Sequence, residues 1–97
     1  MNREALIRIL CEVMPGLSAR HGVLHLDLFG SFARGEARED SDVDLLVTFQ
    51  GEPTFAGYMG LKEDLEILLG RPVDFVTRAG LKPRIRDRVL AELLHVA

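Results

Sequence analysis

Two alternating apolar stretches, residues 22 to 29 and 42 to 49, lie close together, one closing on Gly-Ser and the next opening on a pair of aspartates. In the first, Leu24, Leu26 and Leu28 lie on one side and Val23, His25, Asp27 and Phe29 on the other, the two-residue period of a β-strand. Gly30-Ser31 breaks it. Phe32 to Ala37 reads as a short helix and Glu36 to Ser41 as a polar connection. The second strand runs from Asp42 to Phe49, with Val43, Leu45, Val47 and Phe49 on its apolar side and Asp42 and Asp44 at its mouth. Aspartate is depleted in strands, so a pair of them opening an apolar strand calls for a chemical reason.

The flanking sequence supplies the layers that such strands need. Leu6, Ile7, Leu10, Val13 and Met14 recur at helical spacing, which predicts an amphipathic helix over residues 3 to 14, ended by Pro15-Gly16. Cys11 reads as a buried or half-buried small apolar residue of that helix. After a turn at Gln50 to Pro53, Thr54 is placed to cap a helix running to Leu69, with Gly70 as its C-terminal cap. Gly57 and Gly60 weaken its first turns. Phe55 and Tyr58 read as packing residues of this helix, either of which could also line a base pocket. Pro72 to Thr77 reads as a short third strand, with proline where a lost N–H matters least.

Pro83 opens a last helix that carries Ile85, Val89, Leu90, Leu93, Leu94 and Val96 on one arc, Arg84 and Arg88 opposite. Arg86 falls inside the apolar arc and must either snorkel out or meet a carboxylate. Strands alternating with helices imply an α/β fold: a small, mixed three-stranded sheet flanked by helices and covered mainly on one face. Residues 1–97 have room for one domain and no second core.

Composition narrows the function. A net charge of -3 argues against a general nucleic-acid binder, whose affinity rests on Lys and Arg neutralising phosphate. The charge is uneven: nine acids face two bases between Glu36 and Glu66, and six bases face two acids between Arg71 and Arg88. That division suits a cation site beside an anion- or partner-binding surface, or two solvated faces. A single cysteine permits no internal disulfide and fits a reducing cytoplasm. No signal peptide and no membrane-spanning run is evident.

Asp42 and Asp44, two apart on a strand, share a face and repel unless a cation lies between them. Alone, the pair is equally a solvated strand start. Asp74 adds a third acid inside an apolar strand, in Val-Asp-Phe-Val. If that strand pairs beside the second, three carboxylates share one face, and one can take a proton from an attacking hydroxyl. Mg²⁺ takes hard oxygen ligands of this kind together with substrate phosphate. Asp27 competes by pattern but reads better as a strand residue with a partner near the sheet edge. Gly30-Ser31, a strand-to-helix turn, offers backbone N–H groups and a hydroxyl to phosphate. The histidines His21, His25 and His95 show no metal-ligand spacing.

Gly30-Ser31-Phe32-Ala33-Arg34-Gly35, then Ser41-Asp42-Val43-Asp44-Leu45, then the lone Asp74 resemble the polymerase-β-like nucleotidyltransferase superfamily. The small size and the tail from Leu81 to Arg88 are similar to its minimal nucleotidyltransferases, the MNT antitoxins of HEPN–MNT toxin–antitoxin pairs. The resemblance implies a polymerase-β-like core and a Mg²⁺-dependent enzyme. Gly30 and Ser31 would hold the triphosphate of ATP. Asp42 and Asp44 would bind two Mg²⁺ ions, and Asp74 would complete that site and act as, or position, the general base. Arg34 matches a motif position and would either lock the loop by pairing with an acid such as Asp40 or touch phosphate. The implied reaction moves AMP from ATP to a tyrosine hydroxyl of a cognate HEPN-domain ribonuclease toxin, in a cytoplasmic hetero-oligomer with no direct nucleic-acid contact. The alternative is an antitoxin that neutralises the toxin by binding alone.

Overall fold

The computed structural model describes residues 1–97 as four helices and four strands. In chain order these are α1 (Arg3–His21), β1 (Val23–Phe29), α2 (Gly30–Arg34), β2 (Val43–Phe49), α3 (Phe55–Leu69), β3 (Val73–Val76), α4 (Pro83–Ala91) and β4 (Leu94–His95). The sheet is mixed, in the order β3-β2-β1-β4. β1 is antiparallel to β2 and β4, and β2 is parallel to β3. No helix is long and apolar enough to cross a membrane.

The expected α/β architecture holds, with four strands rather than three. The added strand comes from residues expected to end the last helix. α4 stops at Ala91, and Leu94 and His95 pair with Leu28 and Asp27. The N–H of Leu26 donates to the Ala97 carbonyl at 2.9 Å, and the Val96 N–H donates to the Leu26 carbonyl at 2.9 Å. Without this segment the inner edge of β1 would leave backbone groups unpaired beside the core, which is costly. Leu94 and Val96 turn into the main core, whereas Leu93 joins a smaller cluster beneath α4.

α1 also departs from expectation. Asn2 caps it by accepting the Ala5 N–H, but the helix runs through Pro15 to His21 and stops at Gly22, whose φ of 69° is left-handed. An interior proline costs about 3 kcal/mol. The extra turn buries Leu17 completely beside Leu6 and Leu10, a gain of about 1.5–3 kcal/mol. It also brings His21 within 2.6 Å of Asp64 on α3. Cys11 is exposed, its thiol turned toward the Val96 carbonyl at 3.2 Å. In β1 a register shift between Val23 and His25 swings Leu24 outward and leaves Val23, Leu26 and Leu28 on the core face.

The two faces of the sheet are unequal. α1 and α3 cover one, over a core that includes Leu6, Leu10, Leu26, Leu28, Phe32, Leu45, Leu61, Leu65 and Phe75. On the other, α4 and the turn before it cover only the neighbourhood of Leu46, through Leu81 and Val89. That half-covered face carries Asp44 and Asp74.

Candidate active site

The parallel pairing of β2 and β3 sets Val43 against Val73, Asp44 against Asp74 and Leu45 against Phe75. Because side chains alternate along a strand, Val43, Leu45, Val73 and Phe75 point into the core. Asp44 and Asp74 therefore point out of the other face as direct neighbours on strands about 4.8 Å apart. Asp42 precedes β2 and is exposed, two residues before Asp44. Asp74 is exposed on an edge strand, and Asp44 is half-buried.

Electrostatics records this crowding. The Asp44 carboxyl is pushed up to about 6, first by burial, then by the charges of Asp74 and Asp42; Arg34 opposes the shift and Glu92 adds to it. No three acids or histidines stand close enough to make a ready-built metal cage. The donor set nevertheless fits Mg²⁺, which takes one or two carboxylates and completes its octahedron with water and substrate phosphate.

The Gly-Ser turn lies against Asp44. Asp44 is the antiparallel partner of Phe29, the last residue of β1, so Gly30 follows directly beside it. Gly30 has a φ of 76°, and a Cβ placed on it would stand 2.1 Å from Asp44 Oδ2. Only glycine allows this approach. α2 begins at Gly30 itself and closes at Gly35, earlier at both ends than the expected Phe32 to Ala37. A single turn has little macrodipole, so any phosphate affinity here rests on N–H groups, the Ser31 hydroxyl and nearby cations.

A cleft of about 290 Å³ opens here, lined among others by Gly30, Ser31, Arg34, Asp44, Arg88 and Glu92. Asp42 and Asp74 lie outside its lining. A larger cleft of about 480 Å³ runs along the outer face of α3, past Met59, Lys62, Glu63, Glu66 and Ile67, but holds neither the turn nor the strand aspartates. Size therefore does not mark the site. Arg34 pairs with Glu36 at 2.8 Å and with Glu92 at 3.2 Å, not with Asp40, and the two hydrogen bonds raise its pKa.

Glu92 has no counterpart among the residues the sequence singled out. Its one signal is an acid set among Leu90, Ala91, Leu93 and Leu94. Asp27 is buried and holds His95 on the edge strand at 3.0 Å, the structural partnership expected of it. Tyr58 packs on Phe75 and donates to its carbonyl at 2.6 Å. Phe55 is 81% exposed at the start of α3, not a buried packing residue. Arg86 is exposed and forms no ion pair.

The nucleotidyltransferase domain family matches residues 10–95. The chain is 44% identical over 93 residues to a protein adenylyltransferase, MntA, of Thermococcus cleftensis, covering 96% of this chain and 94% of that protein. A solved structure assigned as a minimal nucleotidyltransferase is 50% identical, with a TM-score of 0.80 over 97% of this chain and 95% of its own. A complex of the tri-AMPylated Shewanella oneidensis HEPN toxin with its MNT antitoxin shares the fold, with a TM-score of 0.66 at 16% identity over 94% of this chain and 71% of that one.

Proposed function

We propose that this chain, which belongs to the nucleotidyltransferase domain family, is a protein adenylyltransferase that moves AMP from ATP to a tyrosine hydroxyl of a cognate HEPN ribonuclease toxin. The register of Asp44 against Asp74, with the Gly30 turn packed against Asp44, carries the reading: the acids stand on the half-covered face of the sheet beside a glycine–serine turn. The adenylyltransferase relative supports the reaction class, and the HEPN–MNT complex of the same fold supports the kind of partner.

In this reading Gly30 and Ser31, aided by Arg34, hold the triphosphate. Asp42, Asp44 and Asp74 hold two Mg²⁺ ions, which when bound neutralise charge on the triphosphate. The acceptor hydroxyl gives its proton to the Asp74 carboxylate as its oxygen bonds to the α-phosphorus. The bond from that phosphorus to the bridging oxygen breaks, and pyrophosphate leaves. Asp74 suits the base because it is exposed on an edge strand, where a side chain of another molecule can reach it. The chain and toxin would work as a hetero-oligomer in the cytoplasm, residues 1–97 acting as one catalytic domain.

The test is intact-mass analysis of the toxin after incubation with this chain, ATP and Mg²⁺. AMP increments that disappear in the Asp42→Ala/Asp44→Ala double variant are the expected result. No increment with the wild type, together with full neutralisation by the double variant, would leave an antitoxin that acts by binding alone.

A further inference from the structure

We infer that Glu92, the residue that closes α4, is a positioning residue for the phosphate-binding turn. The inference rests on the adenylyltransferase reading of the site. One Glu92 oxygen accepts the Gly30 N–H at 3.1 Å, and the carboxylate takes Arg34 Nη1 on both oxygens at 3.3 and 3.2 Å. A single side chain therefore grips the first and last residues of α2. It is the better shielded member of its ion pair, 19% exposed against 44% for Arg34.

The rest of α2 is secured elsewhere. Phe32 is buried in the core, and the Ala33 carbonyl accepts from Arg3 at 2.8 Å. Loss of Glu92 should therefore leave the helix folded. What it frees is the end nearest the acids. Gly30 fits against Asp44 with no space for a further carbon, so its rotation changes the gap between the turn and the aspartates. Transfer needs that gap fixed, because misplacement by about 1 Å can cost about 100-fold in rate. The Arg34 contact has a second effect: it directs a rigid, fully charged fork along the cleft beside Ser31.

A carboxylate on a phosphate-binding N–H has an opposite reading, in which Glu92 is a stand-in that ATP must expel. The two differ in sign. If Glu92 positions the turn, Glu92→Ala weakens Mg-ATP binding about ten-fold or more, because two charge-assisted contacts are lost. Glu92→Gln, which keeps an acceptor for the Gly30 N–H, recovers part of that affinity. If Glu92 is a stand-in, both variants bind Mg-ATP more tightly.

The experiment measures Mg-ATP affinity by calorimetry, KM and kcat for AMP transfer to the toxin, and thermal unfolding, for wild type, Glu92→Ala and Glu92→Gln. The expected result is a raised Kd and KM in Glu92→Ala, partial rescue in Glu92→Gln and an intact cooperative transition in both. Tighter binding in either variant, or a lowered Tm with Kd and KM unchanged, overturns the inference. A wild type that transfers no AMP defeats the adenylyltransferase reading instead, and is distinguished by its own zero rate.

Discussion

Asp44 is held in a state that costs the fold. Its carboxyl titrates near 6, and the free side chain near 3.9, so the native protein binds more proton between those values. The stability from the protonated form is fully present below about pH 4 and lost as pH rises through about 6. Asp44→Asn removes the penalty. It should stabilise the metal-free protein at pH 7.5 by about 1 kcal/mol, a figure discounted because the site is half open to solvent, and by nearly nothing at pH 4. The same variant should lose AMP transfer by about 100-fold or more. Urea unfolding at the two pH values and a transfer assay check both halves; equal stability changes at both would refute the charge argument. Gly30→Ala, next to it, meets two obstacles at once: a φ of 76° and an Asp44 oxygen 2.1 Å from the new carbon. A loss of about 2 kcal/mol or more with abolished transfer is expected, and wild-type activity would show that the close approach is not needed.

At the scale of elements, α1 tolerates an interior proline. Pro15 is exposed within the helix, and alanine there would restore an N–H to the backbone ladder. Part of the gain is returned because the unfolded chain becomes freer, so Pro15→Ala should stabilise by about 1–2 kcal/mol. A higher urea midpoint with an unchanged slope is the expected readout. This helix also marks where sequence patterning stops informing. Pro15-Gly16 is a strong local stop, and it is overridden because Leu17 continues the spacing of Leu6 and Leu10 into the core. β4 has two residues, too few to display any alternation, and it exists because β1 has an edge to satisfy. The aspartates were readable because acids inside alternating apolar strands stand out by composition alone. Glu92 was not, because its meaning lies in a contact with Gly30 made 62 residues away, which no local period encodes.

Across the whole molecule, the strand aspartates and the basic helix α4 lie on one side of the sheet, while the acids of α3 lie on the other. Asp44 and Asp74 project from the half-covered face, with Asp42 just before β2, and α4, seated on Leu46 through Val89, carries the exposed Arg84, Arg86 and Arg88. Arg88 lines the cleft beside Gly30 and Ser31, while Arg84, one turn earlier, is exposed with no acid partner. In the proposed reading, positive charge on α4 beside the aspartates would draw an anionic nucleotide or an acidic partner surface inward, and the aspartates would repel the same anions until cations load them. Reversing charge in Arg84→Glu/Arg88→Glu should therefore weaken binding of Mg-ATP, toxin or both by about ten-fold at low salt. The fold should survive, since neither side chain is buried. Raising ionic strength to about 0.5 M shortens the Debye length to a few ångströms, so the gap between variant and wild type should narrow there. Titrations with nucleotide and with toxin, each at two salt concentrations, separate the two ligands. Unchanged affinities for both at low salt would mean that the basic face of α4 is merely solvated, and that the field of the site comes from its aspartates, Glu92 and Arg34.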